Sequence, residues 1–371
     1  MFFDGALLMR DDVEPDDQGR LPEGARGLPR IADIARLSGV STATVDRVLN
    51  NRPGVRAATV QRVMKAAAEL DYIPESALSA AMAPKPMRTV FLLPSGTNRF
   101  LTGLGQLIRA SEAALAPFGL KAQVEFIHSF NPELLARSLL QHWRKADGIA
   151  FMALEHPAVR EAVNELAERN VPTVTLISDV LNCRRVAYVG LDNRAAGRTA
   201  GHLIARFVGR RPAKVAMIAG SLSYRAHEER EFGFLAYLGE AAPDMEVLGL
   251  REAHDDEGES YRQARTLLSH HPDLAAIYNI GGAPGGVARA LREARRERDV
   301  VFVGHGLTTE TRGMLIDGTM DAVLTQDPRG AMLSCATVFA NLRAGREATH
   351  GIEAPRIDIV FRENLPQGAL P

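Results

Sequence analysis

The chain has 371 residues, of which 46% are hydrophobic and 24% are charged, and its formal net charge at pH 7 is −1. This length is too great for one ordinary domain, and the composition is typical of a soluble protein with sizeable cores. The two cysteines, Cys183 and Cys335, exclude a disulfide framework and a cysteine metal site, so we expect a reducing compartment, the cytoplasm.

The N-terminal segment reads as a tail rather than as a targeting signal. Its first apolar run, residues 6–9, is too short for the core of a signal peptide, and Met9 is a rival start position. Residues 1–29 hold seven acidic side chains, three arginines and three prolines, which is typical of a disordered acidic tail. No stretch of the chain approaches 18 consecutive apolar residues, so we expect no membrane span or membrane partner.

Three short helices are predicted next. Residues 31–37 carry one apolar face of a two-turn helix, and Gly39 suits a left-handed turn after it. Ser41 can cap a second helix over residues 42–50, and a third helix over residues 57–70 closes a small core. Two helices joined by a four-residue turn that contains glycine form a helix-turn-helix, so we expect a DNA-binding headpiece.

The second helix supplies the predicted base contacts, because its N-terminal part enters the major groove in this motif. Arg47 can form two hydrogen bonds to a guanine, and Thr42 can contact a base edge or a thymine methyl group. The carboxylate of Asp46 repels phosphate but can accept a hydrogen bond from cytosine. Other polar residues are better placed for phosphates, which position a protein without specifying sequence. The predicted DNA-contacting residues of the headpiece are Ser41, Thr42, Ala43, Asp46, Arg47, Asn50, Arg52, Arg56 and Arg62.

From residue 88 onward, short β-rich runs alternate with helical segments. The runs span residues 89–93, 122–127, 148–152, 173–177, 187–191, 215–218, 276–278, 300–303 and 322–324. Such alternation predicts parallel sheets built from right-handed βαβ units. About 280 residues exceed what one doubly wound sheet usually needs. The expected fold is therefore an all-α helix-turn-helix headpiece followed by a two-lobed, doubly wound parallel α/β domain.

The residues from Ile31 to Asn50 closely resemble the headpiece of the lactose-repressor (LacI/GalR) family. The shared strings are Gly-Val-Ser at 39–41, Thr-Val-Asp-Arg-Val-Leu-Asn at 44–50 and a closing Tyr-Ile-Pro at 72–74. The resemblance implies a transcription regulator, expected to be a repressor, that binds a pseudo-palindromic operator in double-stranded DNA as a homodimer. The family usually has serine where this chain has Asp46, so we expect an altered operator preference.

The resemblance also implies a hinge helix after Pro74, which folds on DNA and inserts a leucine into the minor groove. Residues 77–83 look like this hinge and are too short to form a stable helix alone. By direct register the inserting position is Ala81, which is too small to open a base step. The inserted residue is then Met82 or Leu78, or the operator is bent less.

Residues 88–365 resemble the type I periplasmic sugar-binding fold of this family, in particular its ribose-binding-like branch. The strings that carry this resemblance lie at 94–100, 170–176, 189–193 with Gly197, and 304–308. In this fold the ligand lies between the lobes, beyond the carboxyl ends of the strands. The effector-binding residues expected at these ends are Asn98, Phe100, Glu155, Ser178, Asp179, Tyr224, His227, Glu228, Asn279, His305, Gln326 and Asp327.

Carboxylates, amides and an aromatic face suit a polyhydroxylated ligand, so a sugar or polyol effector is predicted. Two departures from the ribose-binding-like branch leave the identity of the effector open. His305-Gly306 stands where the branch has an aromatic–Asp pair, and Glu228 stands by direct register where the branch has an arginine. A purine or another non-sugar metabolite therefore remains an alternative effector.

Other classes of protein fit less well. A transport-type solute-binding protein remains an alternative, but the helix-turn-helix and the lack of an export signal speak against it. The glycine-rich run at 281–286 lacks the Lys-Ser/Thr pair of a phosphate-binding loop, and His254, His270 and His271 lack metal-ligand spacing. We therefore expect no enzyme activity, no catalytic residues, no cofactor and no metal.

The domain boundaries follow from these features. We predict the acidic tail at 1–29, the headpiece at 30–73, the hinge and linker at 74–87, and the effector domain at 88–365. Chain crossings between the two lobes are expected near residues 190, 327 and 352.

Overall fold

The computed structural model describes residues 29–82, 85–128, 130–209 and 212–367. The chain divides into two compact units, Met1–Lys85 and Pro86–Pro371. The acidic tail was predicted at 1–29, and residues 1–28 of it lie outside the described residues. Residues 83 and 84 of the predicted linker lie outside them as well.

The first unit is helical. Ile34, Val45 and Val63 have no exposed surface and form the centre of its core. Gly39 ends the first helix at φ 65°, a conformation that glycine adopts without the steric penalty of a Cβ atom. This sharp turn brings Ser41 to the start of the second helix. The helices are α1 (Ile31–Ser38), α2 (Thr42–Leu49), α3 (Ala57–Glu69) and α4 (Glu75–Met82).

The first lobe of the second unit contains a five-stranded parallel sheet with the strand order β2-β1-β3-β4-β5. Every residue of β3 and β4 is buried, as expected for central strands that helices cover on both faces. The strands are β1 (Met87–Ser95), β2 (Leu120–His128), β3 (Gly148–Phe151), β4 (Thr173–Leu176) and β5 (Ala187–Val189). Its helices are α5 (Arg99–Ala110), α6 (Glu112–Leu115), α7 (Pro132–Gln141) and α8 (Pro157–Glu168).

The second lobe contains a six-stranded sheet with the order β11-β10-β9-β8-β6-β7, in which only the edge strand β11 is antiparallel. The strands are β6 (Ala213–Ala219), β7 (Met245–Glu252), β8 (Leu274–Asn279), β9 (Val301–His305), β10 (Ala322–Thr325) and β11 (Asp358–Val360). The helices that follow β5 are α9 (Asn193–Val208), α10 (Arg225–Ala241), α11 (Glu257–His270), α12 (Pro284–Glu293), α13 (Thr309–Asp317) and α14 (Pro328–Arg343).

The chain passes between the lobes three times: between β5 and α9, between β10 and α14, and between α14 and β11. Although α14 follows a strand of the second lobe, its Met332, Cys335 and Phe339 are buried in the core of the first. The predicted fold class is confirmed. The edge strands β7 and β11 were not predicted.

Within the part of the chain that the structure describes, no helix has the combination of length and apolar character needed to cross a bilayer.

Candidate functional site

One side of α2 is available to a partner. The hydroxyl of Ser41 accepts a hydrogen bond from the backbone N–H of Thr44 at 3.2 Å, which caps the helix. Val45 and Val48 face the core. The exposed residues follow each other at helical spacing, so they form one continuous surface, which comprises Ala43, Arg47 and Asn50 with Thr42 beside them.

Within residues 29–82, ion pairs engage only part of the positive charge. Asp33 pairs with Arg36 at 2.6 Å, and Asp46 pairs with Arg52 at 3.1 Å. Exposed basic side chains outside these two pairs can bind phosphates. Between residues 29 and 82, the basic side chains without an ion pair include Arg47, Arg56, Arg62 and Lys65.

The carboxylate of Asp46 is hydrogen-bonded to residues at the C-terminal end of its own helix. The side-chain amide of Asn50 donates to Asp46 Oδ1 at 2.8 Å, and Arg52 Nη1 donates to Asp46 Oδ2 at 3.1 Å. Both carboxylate oxygens therefore have partners, and a cytosine would have to compete with them. A direct base contact by Asp46 stays a prediction, and so does phosphate binding by Asn50 and Arg52.

Substitution of Asp46 by asparagine is expected to tighten binding to all DNA sequences. The change removes a negative charge from the DNA-facing surface and releases Arg52, so the salt dependence of the affinity should steepen by about one unit. Fluorescence anisotropy titrations at several salt concentrations measure both effects. Glu69→Gln, which removes the same charge at the end of α3, is the control. An unchanged salt slope in Asp46→Asn would contradict the expectation.

The residues proposed to enter the minor groove lie on α4. Leu78 is half-buried and lines a groove with Tyr72 and Ile73. Ala81 and Met82 form the last residues of the helix, and their side chains lie outside what the structure describes.

In the second unit, a cleft opens between the two lobes at the carboxyl ends of the strands. Its free space is about 720 Å³, including the mouth that opens to solvent. Five of the predicted effector residues line it. These are Asn98 and Phe100 from the first lobe, and His227, His305 and Gln326 from the second lobe and its connection to α14.

Three buried polar atoms at the ends of neighbouring strands have no partner among the described residues. They are Asn279 Oδ1 at the end of β8, His305 Nδ1 at the end of β9, and Gln326 Oε1 after β10. The amide nitrogen of Asn279 donates to the carbonyls of Gly281 and Gly282, which fixes the orientation of its oxygen. His305 and Gln326 line the cleft, whereas Asn279 does not. Because an unmade buried hydrogen bond costs about 1–3 kcal/mol, the two atoms at the cleft indicate a site built for a polar ligand.

A buried arginine also lines the cleft. Arg230 on α10 donates through Nε to Asn193 Oδ1 at 2.8 Å and through Nη1 to the carbonyl of Ile280 at 2.9 Å. Asn193 is in turn oriented by hydrogen bonds to the Tyr188 hydroxyl and the Leu191 carbonyl. The guanidinium group is therefore fixed on two sides while its remaining nitrogen, Nη2, has no hydrogen-bond partner among the described residues.

Two histidines beside this arginine are held in their neutral form. Burial lowers the pKa of His227 to about 4, although the nearby Asp255 opposes the shift. Burial and the positive charge of Arg230 hold the pKa of His305 well below its usual range. His305 Nε2 lies 2.7 Å from the hydroxyl of Tyr278, so its Nδ1 is the atom left for a ligand.

Direct contacts between the lobes surround the cleft. Asn98 of the first lobe donates to Asp255 Oδ2 of the second at 3.1 Å, and the backbone N–H of Gly282 donates to the other carboxylate oxygen at 2.7 Å. Arg99 pairs with Glu310 across the same gap at 3.0 Å. The lobes are therefore close together in this structure.

Two predicted carboxylates of the first lobe point away from the cleft. Asp179 pairs with Arg185 and accepts a hydrogen bond from the hydroxyl of Thr175 at 2.6 Å. Glu155 pairs with Arg160 at 2.7 Å. Both side chains are bound within their own lobe because an arginine lies nearby in the same loop or helix, a contact that strand-end position alone does not reveal.

Five other predicted residues do not line the cleft either. Asn279 is buried at the end of β8, where its amide nitrogen donates to two backbone carbonyls. The hydroxyl of Ser178 faces the backbone N–H of Ala226 at 3.4 Å. Tyr224 is buried with its ring packed against Phe130 at a centroid distance of 5.4 Å. The last two are exposed: Glu228 lies on the solvent side of α10, and Asp327 caps α14.

Removal of the Asp179 carboxylate is therefore expected to lower the stability of the protein rather than its affinity for a ligand. Asp179→Ala leaves the half-buried Arg185 without its partner, which should cost about 1–3 kcal/mol of unfolding free energy. Chemical denaturation measures this loss, and Arg184→Ala, which breaks an exposed pair with Glu168, is the control. Unchanged stability together with weakened ligand binding would instead place Asp179 in the ligand site.

The sequence reasoning missed Arg230 because it placed the arginine position at Glu228. The apolar pattern of α10 contains the signal, since Arg230 shares a helical face with the buried Ala226, Gly233 and Phe234. The cleft lining also includes residues that were not predicted, among them Leu191, Thr308, Thr311 and Thr325. Over the described residues, no group of three His, Cys, Asp or Glu side chains is arranged to hold a metal ion.

Sequence comparison matches both units to known families. Residues 30–75 match the bacterial regulatory proteins of the lacI family, and residues 91–347 match the periplasmic binding protein domain. The HTH-type transcriptional regulator GntR of Pseudomonas aeruginosa is 30% identical over 291 residues, which cover 75% of this chain and 79% of that protein. The chain belongs to the lacI family of bacterial regulatory proteins. The resemblance found in the sequence is thereby confirmed.

The second unit also has relatives without a regulatory name. The ribose import binding protein RbsB of Escherichia coli (strain K12) is 31% identical over 172 residues, which cover 46% of this chain and 57% of that protein. Among solved structures, GanP, a glucose-galactose binding protein from Geobacillus stearothermophilus, superposes with a TM-score of 0.68 at 26% identity. This match covers 76% of our chain and all of GanP.

Proposed function

We propose that this lacI-family member is a cytoplasmic, homodimeric repressor that binds a pseudo-palindromic operator and responds to a sugar or polyol. The observation that carries the proposal is the presence, in one chain, of two features. One is a helix-turn-helix with exposed arginines that have no ion pair among the described residues, and the other is a cleft whose buried polar atoms have no partner there either.

In the proposed complex, α2 enters the major groove with its exposed surface toward the bases. Arg47 reads a guanine, and Thr42 and Ala43 contact neighbouring base edges. Arg56 and Arg62 bind phosphates, so they supply affinity that depends on salt but not on sequence. A two-fold dimer would present two copies of α2 to two half-sites of the operator.

The cleft supports the effector part of the proposal. A hydroxyl group of a ligand can donate to the side-chain oxygen of Gln326, and the half-buried ring of Phe100 can cover an apolar face of a sugar. Binding between the lobes would change their relative placement and hence the operator affinity. Because the two binding free energies are coupled, the operator must change effector affinity by the same factor.

Two measurements test the proposed function. Selection from a random DNA library, followed by anisotropy titration, should yield a pseudo-palindromic site bound about 1,000-fold or more tightly than random DNA. A thermal-shift screen of sugars and polyols should find a compound that raises the melting temperature and changes the operator affinity. Binding without sequence preference would reject the regulator. A stabilising compound that leaves DNA affinity unchanged would favour a solute-binding protein, and conversion of that compound, followed by NMR, would indicate an enzyme.

A further inference from the structure

Basic side chains are concentrated at the edge of the first sheet where its strands begin. This amino edge comprises residues 86–88, 118–121, 142–147, 169–172 and 184–186, together with residues 343–347 at the end of α14. The guanidinium group of Arg343 donates to the carbonyl of Gly119 at 3.3 Å, which places the end of α14 beside the start of β2. The exposed basic residues of the amino edge are Arg88, Lys121, Arg144, Lys145, Arg169, Arg184, Arg343 and Arg346.

Acidic residues engage only some of these cations. The acidic residues within the same ranges are Asp147 and Glu347, and Glu165 and Glu168 lie close by at the end of α8. The resulting ion pairs are Arg88–Asp147 at 2.8 Å, Arg184–Glu168 at 2.8 Å and Arg169–Glu165. The basic side chains of the edge that have no ion pair with any described residue include Lys121, Arg144, Lys145 and Arg346. Positive charge therefore exceeds negative charge at the amino edge.

Several of the cations lie close to one another. Arg88 and Lys121 are register partners on the adjacent strands β1 and β2. The guanidinium groups of Arg144 and Arg169 lie 4.3 Å and 4.5 Å from the ring centroid of Trp143, and these cation–π contacts hold both groups against the same ring. Because like charges at short range repel each other, an anion bound at the amino edge would stabilise this arrangement.

A purely structural role accounts for part of this pattern. Helices α7, α8 and α14 end at the amino edge, and the helix dipole favours a basic side chain near the C-terminus of a helix. Arg88 and Lys121 lie on strands, however, and Lys145 and Arg346 follow the ends of their helices by three residues or more. The dipole therefore does not explain these four cations, whereas binding of a polyanion explains the whole set.

We propose that the amino edge binds backbone phosphates of the DNA that the headpiece holds. The inference rests on the proposed function, because it requires DNA on the headpiece. Only the four residues 83–86 separate α4 from β1, so the headpiece is joined to the second unit at this edge. A short tether raises the local concentration of the bound DNA around the amino edge. Exposed lysines and arginines bind phosphates without reading bases, so this contact adds affinity and salt dependence but no sequence preference.

The test uses the full-length protein and a labelled duplex that carries the selected operator with flanking DNA. Arg144→Gln combined with Lys145→Gln should reduce the salt dependence of the affinity by about one to two units and weaken binding roughly 10-fold near physiological salt. Arg206→Gln combined with Arg362→Gln removes two exposed charges of the second lobe. This control should bind within about twofold of wild type, because salt screens distant charges.

A second measurement reports on the amino edge directly. Trp143 is the one tryptophan of the chain, so the intrinsic tryptophan fluorescence comes from this edge. Its intensity or wavelength should change when the duplex binds to the wild-type protein. Poly-L-glutamate is the comparison, because an acidic polypeptide is the other polyanion that such a surface fits.

Several results would overturn the proposal. An unchanged salt slope in the Arg144/Lys145 double variant, or Trp143 fluorescence that the duplex leaves unaltered, would each reject it. A lower melting temperature of that variant with unchanged DNA affinity would leave the cations a structural role alone. A response of Trp143 to poly-L-glutamate but not to the duplex would reject DNA in favour of an acidic polypeptide. Sequence selectivity is measured separately: selective operator binding with an unchanged slope rejects only the amino edge, whereas binding without sequence preference rejects the proposed regulator.

Discussion

Replacement of Gly197 by alanine is expected to lower the melting temperature of the second unit by roughly 6–12 °C. A Cβ atom at this position of α9 would lie 2.0 Å from the backbone carbonyl oxygen of Arg230 on α10. Backbone cannot rotate away as a side chain can, so the two helices must separate. Overpacking of this kind costs about 3 kcal/mol. Differential scanning calorimetry of the full chain measures the shift.

Gly239→Ala supplies a matched control. Gly239 lies on α10 as well, but it is exposed, and a Cβ atom there meets nothing within 4 Å. Alanine in an open helical position should stabilise the protein by about 0.5–1 kcal/mol, because glycine loses more conformational freedom on folding. The two substitutions are thus expected to shift the melting temperature in opposite directions. A neutral Gly197→Ala would show that α9 and α10 do not approach as closely as described.

Arg47→Ala is expected to weaken binding to the selected operator by about 1–3 kcal/mol, or roughly 5- to 150-fold, while affinity for random DNA falls much less. The reason is that Arg47 is exposed on α2, has no ion pair with any residue that the structure describes, and can give two hydrogen bonds to one guanine. Anisotropy titrations with the operator and with variants at each base pair would locate the position where discrimination is lost.

Arg62→Ala is the comparison for this substitution. Arg62 is exposed on α3 and is expected to contact only phosphate. Its loss should weaken binding to operator and random DNA alike and flatten the salt dependence by about one unit. If Arg47→Ala instead behaves like Arg62→Ala, the recognition surface assigned to α2 is wrong.

The sequence pattern alone predicted a helical domain and a parallel α/β domain, because both predictions depend on periodicity within short segments. Apolar residues at helical spacing, a glycine at the turn and a serine cap lie close together in the chain, so α1, α2 and α3 could be read directly from the sequence. The central strands were recognisable for a similar reason: they are buried on both faces and form short continuous apolar runs. Each of the nine predicted runs coincides with a strand of the structure.

The two edge strands of the second sheet, β7 and β11, were missed because they lack that signal. In β7 buried, half-buried and exposed residues are mixed, and Gly249 at φ 85° interrupts the strand where its register with β6 shifts. The three-residue β11 is too short to show any period and forms only because β10 offers it an antiparallel edge. Strand pairing of this kind is decided by the sheet and not by the segment itself.

At the cleft, too, position in the chain predicted some features, and contacts made in the folded protein decided others. Asn98, His305 and Gln326, which were predicted from their positions at strand ends, line the cleft, since parallel strands place their carboxyl ends at one edge. Asp179 also follows a strand but does not line the cleft, because Arg185 binds its carboxylate, a contact that strand-end position does not reveal. Arg230 became visible only once α9, α10 and β8 packed together, because its partners Asn193 and Ile280 lie 37 and 50 residues away. The sequence determined which elements form and where their ends meet, whereas tertiary packing decided which charges are paired and which one is left facing the cleft.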